Sequence, residues 1–240
     1  MRIAPIPLLP LLIVLGGTAG SLAQTPAPPT AEHRLEDDHH IGPHSNQGYH
    51  RSFNQAERWA KELDDPLRDA WQKPEEVLDA LHLDRTSRVA DLGAGTGYFS
   101  ARIAGRIPEG KLFAVDIEPD MLRYLGERAH RERLHVLAPV LASATSPNLP
   151  ERVDIVLVVD TYHHIDDRVA YFARLRESLR PDGRLAIVDF TPDSPTGPPL
   201  EHRVSAEQVT RELNSAGYSL LAAHPFLPRQ YFLVFRANAS

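Results

Sequence analysis

Two hydrophobic periods take turns along this chain. From Arg88 onward, the short apolar runs "RVADL", "KLFAVDI", "LHVLAPV", "VDIVLVVD" and "RLAIVDF" are separated by helical stretches that begin near Thr96, Pro119 and Arg168. Apolar strands alternating with helices are the pattern of βαβ units, so the runs predict a parallel sheet with helices on both faces. After Phe190 the pattern changes. A Pro-rich stretch, "TPDSPTGPPLEH", leads to a helix with Ser205 and Gln208 spaced as a capping box, and two β-like runs follow, "YSLLAAH" and "YFLVFRA". Only "PFLPRQ" joins them, too little for a parallel crossover, so they pair antiparallel. The fold class is therefore α/β: a doubly wound sheet, mostly parallel, of seven strands with a C-terminal antiparallel hairpin.

Ahead of the sheet the period is helical. Phe53, Ala56, Trp59, Ala60 and Leu63 fall on one stripe, "DDPLRDAW" restarts a helix with Asp65 as N-cap and Pro66 at the first helical position, and Pro74 to Leu81 turns Val77, Leu78 and Leu81 inward. These helices form a cap, 51–84, on a domain spanning 51–240. Residues 24–50 carry no apolar period and read as a flexible linker or arm. The first 23 residues differ again. Arg2 is the only charge before Glu32, Leu8 to Leu15 is apolar, and "SLA" precedes Gln24, the pattern of a secretory signal peptide cleaved after Ala23. The expectation is a periplasmic or secreted protein with no stable membrane insertion after cleavage, since the apolar core is too short to span a bilayer comfortably.

Composition narrows the choices. There is no cysteine, so neither a disulfide framework nor a lipid-accepting thiol exists. The formal charge is −6 with acidic and basic residues interspersed, which argues against a nucleic-acid partner because phosphate neutralisation needs a concentrated basic face. His33, His39, His40, His44 and His50, with Glu36, Asp37 and Asp38, make the arm rich in metal-ligand types. Their spacing matches no closed site, so the arm reads as a solvated polar segment and no metal is expected.

The chemistry concentrates in "VADLGAGTGYFS". A strand, a glycine loop and a helix N-terminus make a ligand site at the carboxyl edge of a parallel sheet. Gly93, Gly95 and Gly97 are spaced G-x-G-x-G, which departs from the dinucleotide fingerprint. Charge separates the ligands further. A pyrophosphate favours basic residues beside the glycines, yet Asp91 precedes the loop and Arg102 is the first basic residue after it. Asp116 ends the second strand, where a carboxylate can accept from ribose hydroxyls. A cationic nucleoside without phosphate fits these charges.

"VADLGAGTGYFS", "LFAVDIEPDML", "VDIVLVVDTYHHI" and "LRPDGRLAIVDF" together resemble, in order and spacing, the core of the class I S-adenosylmethionine-dependent methyltransferases, from about Arg88 to Phe190. The resemblance implies a Rossmann-like sheet and S-adenosyl-L-methionine as cofactor. It implies that Asp91 and the loop with Gly93, Ala94, Gly95 and Gly97 hold the methionine end. Asp116 would take the ribose, Ile117 and Met121 would pack near the adenine, and Asp160 would border the methyl donor. Many relatives carry an Asp before the fourth strand to read the adenine amino group. Here "LASATSPNLP" offers only Ser143, Thr145 and Ser146, so Ser143 is the substitute. The segment from Phe53 to Leu81 resembles the leader of bacterial methyltransferase-domain proteins of undefined substrate. Such leaders roof the acceptor pocket, which makes Tyr49, His50, Trp59, Trp71 and Gln72 candidates to line it, with Trp59 more at home in the core.

"DTYHHIDD" puts Tyr162, His163 and His164 directly after the fourth strand, where the acceptor should lie. One imidazole could take a proton from an acceptor oxygen, with His163 slightly ahead of His164. The expected function is methyl transfer to a small-molecule acceptor by in-line displacement, at oxygen, nitrogen or a softer atom. The N/D-P-P-Y pattern of amino-methylating enzymes is missing. Export conflicts with a cofactor made in the cytosol, so the rival reading is an exported, non-catalytic domain of the same fold that binds a nucleoside or small ligand. The sequence fixes no oligomeric state.

Overall fold

The computed structural model describes residues 48–238. The expected signal peptide and most of the arm, including His33, His39, His40 and His44, lie outside the described residues, and among those described no helix is long and apolar enough to cross a membrane. Seven strands form one sheet: β1 (Arg88–Leu92), β2 (Lys111–Asp116), β3 (Leu137–Leu141), β4 (Val153–Val159), β5 (Leu179–Phe190), β6 (Tyr218–His224) and β7 (Gln230–Ala237). Their spatial order is β3-β2-β1-β4-β5-β7-β6. The first five run parallel; β7 pairs antiparallel with both β5 and β6, closing the sheet with the expected hairpin.

The strands read as unbroken apolar runs because helices cover the sheet twice. Val89 and, on β4, Ile155 and Leu157 face α3 (Pro74–Leu81), α4 (Tyr98–Arg106) and α5 (Pro119–Glu132). Ala90, Val156 and Val158 face the other way, toward α6 (Arg168–Leu175) and α7 (Ala206–Ser215). Successive strand side chains point to opposite faces, so each β-residue serves one of two cores. The edges depart from the expected bounds. β3 starts at Leu137 rather than Leu134 because "LHV" is spent on the turn from α5, where Leu137 N–H donates to Leu134 C=O. β5 begins at Leu179, five residues early, since Leu179 registers against Val153 across a bulge.

The cap precedes β1. It comprises α1 (Ala56–Leu63), a tight turn at Pro66–Arg68, α2 (Asp69–Gln72) and α3. The Asp65 side chain accepts the Leu67 N–H at 2.9 Å, the predicted N-cap, worth about 1 kcal/mol in such a position. At α7 the capping box closes from one side only: Ser205 Oγ accepts the Gln208 N–H at 3.3 Å, while the Gln208 side chain turns to Glu212.

Candidate active site

Strand order reverses between β1 and β4, with β2 and β3 on one side and β5 on the other. Outside the carboxyl ends of such a sheet lies a natural crevice. A cavity of about 250 Å³ opens there, bordered by the ends of β1, β2 and β4, the stretch after β3 and the segment that enters α1.

The glycine loop forms the floor, with Gly93, Ala94 and Gly95 on the cavity. Gly93 and Gly95 have φ of 76° and 54°, in the left-handed region that disfavours side chains. At Gly93 a Cβ would also run into the Thr161 side chain. Gly97 does not border the cavity. It caps α4 at φ 90°, and a Cβ there would meet Leu125 of α5, so its role is to let two helices approach. That corrects the expectation that Gly97 touches ligand. The loop also has little to offer an anion. Gly93 and Ala94 N–H both donate to Val115 C=O, Gly97 N–H to Ala94 C=O, and Gly95 N–H to Asp116 Oδ2 at 2.8 Å. A phosphate nest needs such groups free.

Three carboxylates surround the floor. Asp91 is 3% exposed and accepts from Ser100 Oγ at 2.6 Å; burial pushes its pKa up to about 6. Asp116 accepts from Gly95 N–H and, at 3.0 Å, from Glu118 N–H, and burial raises its pKa as well. Asp160, just past β4, sits at φ 51°, a strained conformation for a residue with a side chain. Gln72 Nε2 donates to it at 2.9 Å and Gln230 Nε2 donates to its other oxygen. Burial lifts Asp160 to about 6 against the opposing pull of Arg68, whose Nη2 is 3.5 Å away. A cationic guest would relieve the cost of burying these charges. Of the expected adenine contacts, Met121 is fully buried at the wall, Ile117 stays 55% exposed at the rim, and Ser143 reaches the cavity where Thr145 and Ser146 do not.

The opposite bank is assembled by a strap, residues 48–55. Gly48 N–H donates to Asp166 Oδ1, Tyr49 N–H donates to His163 C=O at 2.8 Å, and His50 Nε2 pairs with Asp166 Oδ2 at 2.9 Å. At its far end Phe53 N–H reaches Glu118 at 3.3 Å and Ala56 N–H reaches Asp120 at 2.7 Å. The strap thus crosses from the β4 loop to the β2 loop. His164 lies beneath it, its ring stacked on Tyr49 at 5.4 Å. His164 Nδ1 donates to Tyr49 C=O, which fixes the tautomer and leaves Nε2 as an acceptor. Burial and the neighbouring His163 depress its pKa to about 3, so the ring stays neutral.

The methyltransferase domain family matches residues 90–185. The malonyl-[acyl-carrier protein] O-methyltransferase of Acetivibrio thermocellus is 31% identical over 116 residues, 48% of this chain and 40% of that protein. An uncharacterized methyltransferase of Mycobacterium bovis is 35% identical over 118 residues, 49% of this chain and 58% of that protein. The chain therefore spans about half the length of the curated relatives it matches. Among solved structures, a SAM dependent methyltransferase from Aquifex aeolicus superposes with a TM-score of 0.71 at 23% identity, over 78% of this chain and 99% of that one. Residues 90–185 thus match a methyltransferase domain, and the fold is one shared with SAM-dependent methyltransferases.

Within the methyltransferase domain, two expected residues sit elsewhere than anticipated. Tyr162 turns away from the cavity: its hydroxyl donates to Glu212 at 2.7 Å and its ring stacks on Phe172. Its apolar body drives it into the core under α6 and α7, and burial raises its pKa far out of any catalytic range. His163, the histidine placed ahead, is 4% exposed and does not border the cavity; its Nδ1 lies 2.9 Å from both oxygens of Asp189. Burial works against the His163 imidazolium, but the Asp189 carboxylate more than offsets it, and the pKa lies above the usual value. His164 takes the place on the cavity. Of the candidate roof residues, Tyr49 and His50 border the cavity, whereas Trp59 packs on Phe53, Trp71 on Phe190, and Gln72 holds Asp160 from behind. Arg68, Asp166, Asp189 and Gln230 join the site without being expected from the sequence. A polar side chain at the end of a buried strand, as in "VDF" and "QYFLVF", was the available signal for the last two.

Proposed function

We propose that this protein transfers the methyl group of S-adenosylmethionine to a small-molecule acceptor held under the strap, beside His164. The observation that carries it is the trio of buried carboxylates around a glycine loop in which the N–H groups of Gly93, Ala94, Gly95 and Gly97 already donate within the protein: the site suits a cation and offers a phosphate little. When bound, the cofactor supplies an electrophilic methyl carbon on a sulfonium. Asp91 would compensate the ligand's ammonium, and Asp116, which keeps lone pairs beyond the two it spends on backbone, would accept from the ribose hydroxyls. Met121 and Ile117 would pack against the base, with the Ser143 hydroxyl beside it.

The acceptor side follows from the tautomer of His164. A neutral ring with Nε2 free can accept a hydrogen bond from an acceptor O–H or N–H and aim its lone pair at the donor carbon. A conjugate acid near pKa 3 is too acidic to hold a proton at neutral pH, so His164 orients the acceptor and water carries the proton away. The roof of Tyr49, Phe53 and His164 supports a small, flat or apolar acceptor. The matches to methyltransferases favour this reading over a purely binding role. The test is formation of S-adenosylhomocysteine when the protein is given S-adenosylmethionine and a panel of small hydroxyl, carboxyl, amine and thiol acceptors. Acceptor-dependent turnover supports the proposal; cofactor binding without turnover on any class, or turnover on a folded protein substrate alone, refutes it.

A further inference from the structure

One group of S-adenosylmethionine still lacks a partner in this site. The ligand carries a carboxylate, and its methionine half would lie among Asp91, Asp116 and Asp160. An anion there needs a fixed cation or free N–H donors. The loop cannot supply most of them, since the N–H groups of Gly93, Ala94, Gly95 and Gly97 donate within the protein.

Two arginines border the cavity, Arg51 and Arg68. Arg51 lies over Trp59 at 4.3 Å, on the strap. Arg68 lies by the loop: its guanidinium sits 4.2 Å over the ring of Tyr98, the first residue of α4 and the next after Gly97. Its side chain is 14% exposed. Nε and Nη2 both donate to Gln72 Oε1, and Nη1 donates to Leu63 C=O. A guanidinium has five N–H groups, so two remain, one on each terminal nitrogen, the number that a fork onto a carboxylate takes. Nothing else fills the fork except a long contact to Asp160 at 3.5 Å. Tyr98 below and Gln72 behind, itself fully buried, hold the fork in place before any ligand arrives.

We propose that Arg68 binds the carboxylate of the methionine half of the cofactor, leaving Asp91 and Asp160 to face its two positive charges. This rests on the cofactor reading above and adds to it a positioning residue drawn from the cap instead of the sheet. Cofactor capture then depends on the turn at Pro66–Arg68 being docked.

Calorimetry with S-adenosylmethionine and its decarboxylated analogue tests this in the full chain. The wild-type protein should prefer the intact ligand by roughly tenfold to a hundredfold, the range of a charge-assisted hydrogen bond. In Arg68→Gln the preference should vanish or invert while affinity for the analogue changes less than about threefold, and Arg68→Lys should keep part of it. Equal weakening of both ligands in Arg68→Gln, or no wild-type preference, would overturn the assignment and leave Arg68 as packing for Tyr98. Should Arg68→Gln fail to melt cooperatively, Arg68→Lys decides: a narrowed preference supports the fork, an unchanged one removes it. A wild-type protein that binds neither ligand refutes the cofactor reading itself, a result distinct from either of these.

Discussion

The two banks of the cavity are held by bonds of different reach. On the cofactor bank, Ser100 meets Asp91 across 9 positions, Gly95 meets Asp116 across 21, and Glu118 meets Asp116 across 2. On the acceptor bank, His164 meets Tyr49 across 115 positions and Gly48 meets Asp166 across 118. Around Asp91 and Asp116 the first bank is one βαβ unit, β1–α4–β2, to which Asp160 and Arg68 are added from farther off in the chain. The second exists only when the strap lies across the finished sheet. Changes to the first should therefore abolish ligand binding, and changes to the second should spare the cofactor while disturbing the acceptor.

The largest effect is expected at Gly93. Gly93→Val forces a β-branched residue into φ 76° and against Thr161, so binding of S-adenosylhomocysteine should fall below detection by calorimetry. Left-handed strain alone costs about 1–2 kcal/mol, so the melting temperature should also drop. Next comes Asp91→Asn, which keeps a hydrogen-bond acceptor for Ser100 but removes the charge. Its expected cost is roughly tenfold to a hundredfold in affinity for S-adenosylmethionine, on the scale of a charged hydrogen bond. Retained affinity would mean that the carboxylate does not face the ligand.

The other bank should respond differently. His164→Gln should leave the dissociation constant of S-adenosylhomocysteine within about twofold and lower kcat/KM for a working acceptor by roughly tenfold, the size of one orienting hydrogen bond. A matching loss of cofactor affinity would erase the distinction between the banks. The smallest effect is expected at Tyr162→Phe. That change removes one hydrogen bond to Glu212, which Arg168 still holds at 2.7 Å, so stability should fall by about 1 kcal/mol with turnover unchanged.

The same contrast in reach explains what the sequence disclosed. The mostly parallel sheet and its hairpin follow from apolar runs that alternate with helical stripes. Asp91 and Asp116 are legible because each ends a strand beside a glycine loop or a turn. Gln72, Gln230 and Arg68 were not legible as partners of Asp160, because they arrive from 88 and 70 positions away or from the cap turn. No local pattern marks such meetings. The choice between the adjacent histidines failed for a related reason. In "YHH" the tight turn at Tyr162–His164 leaves the two imidazoles side by side, 4.2 Å apart, and Asp189 on β5 claims His163 for the interior. Only the docked strap selects His164 for the cavity.

The central claim is that buried carboxylates select a cationic nucleoside, and the pH dependence of S-adenosylmethionine binding tests it most directly. Asp91 and Asp160 are lifted to about 6 in the free protein, and a cation favours their ionised forms. Affinity should be flat above pH 7 and fall as pH drops through 6, with protons released on binding in that range when measured by calorimetry in buffers of different ionisation enthalpy. Affinity that stays constant from pH 5 to 7.5, or that tightens in acid, would contradict the account.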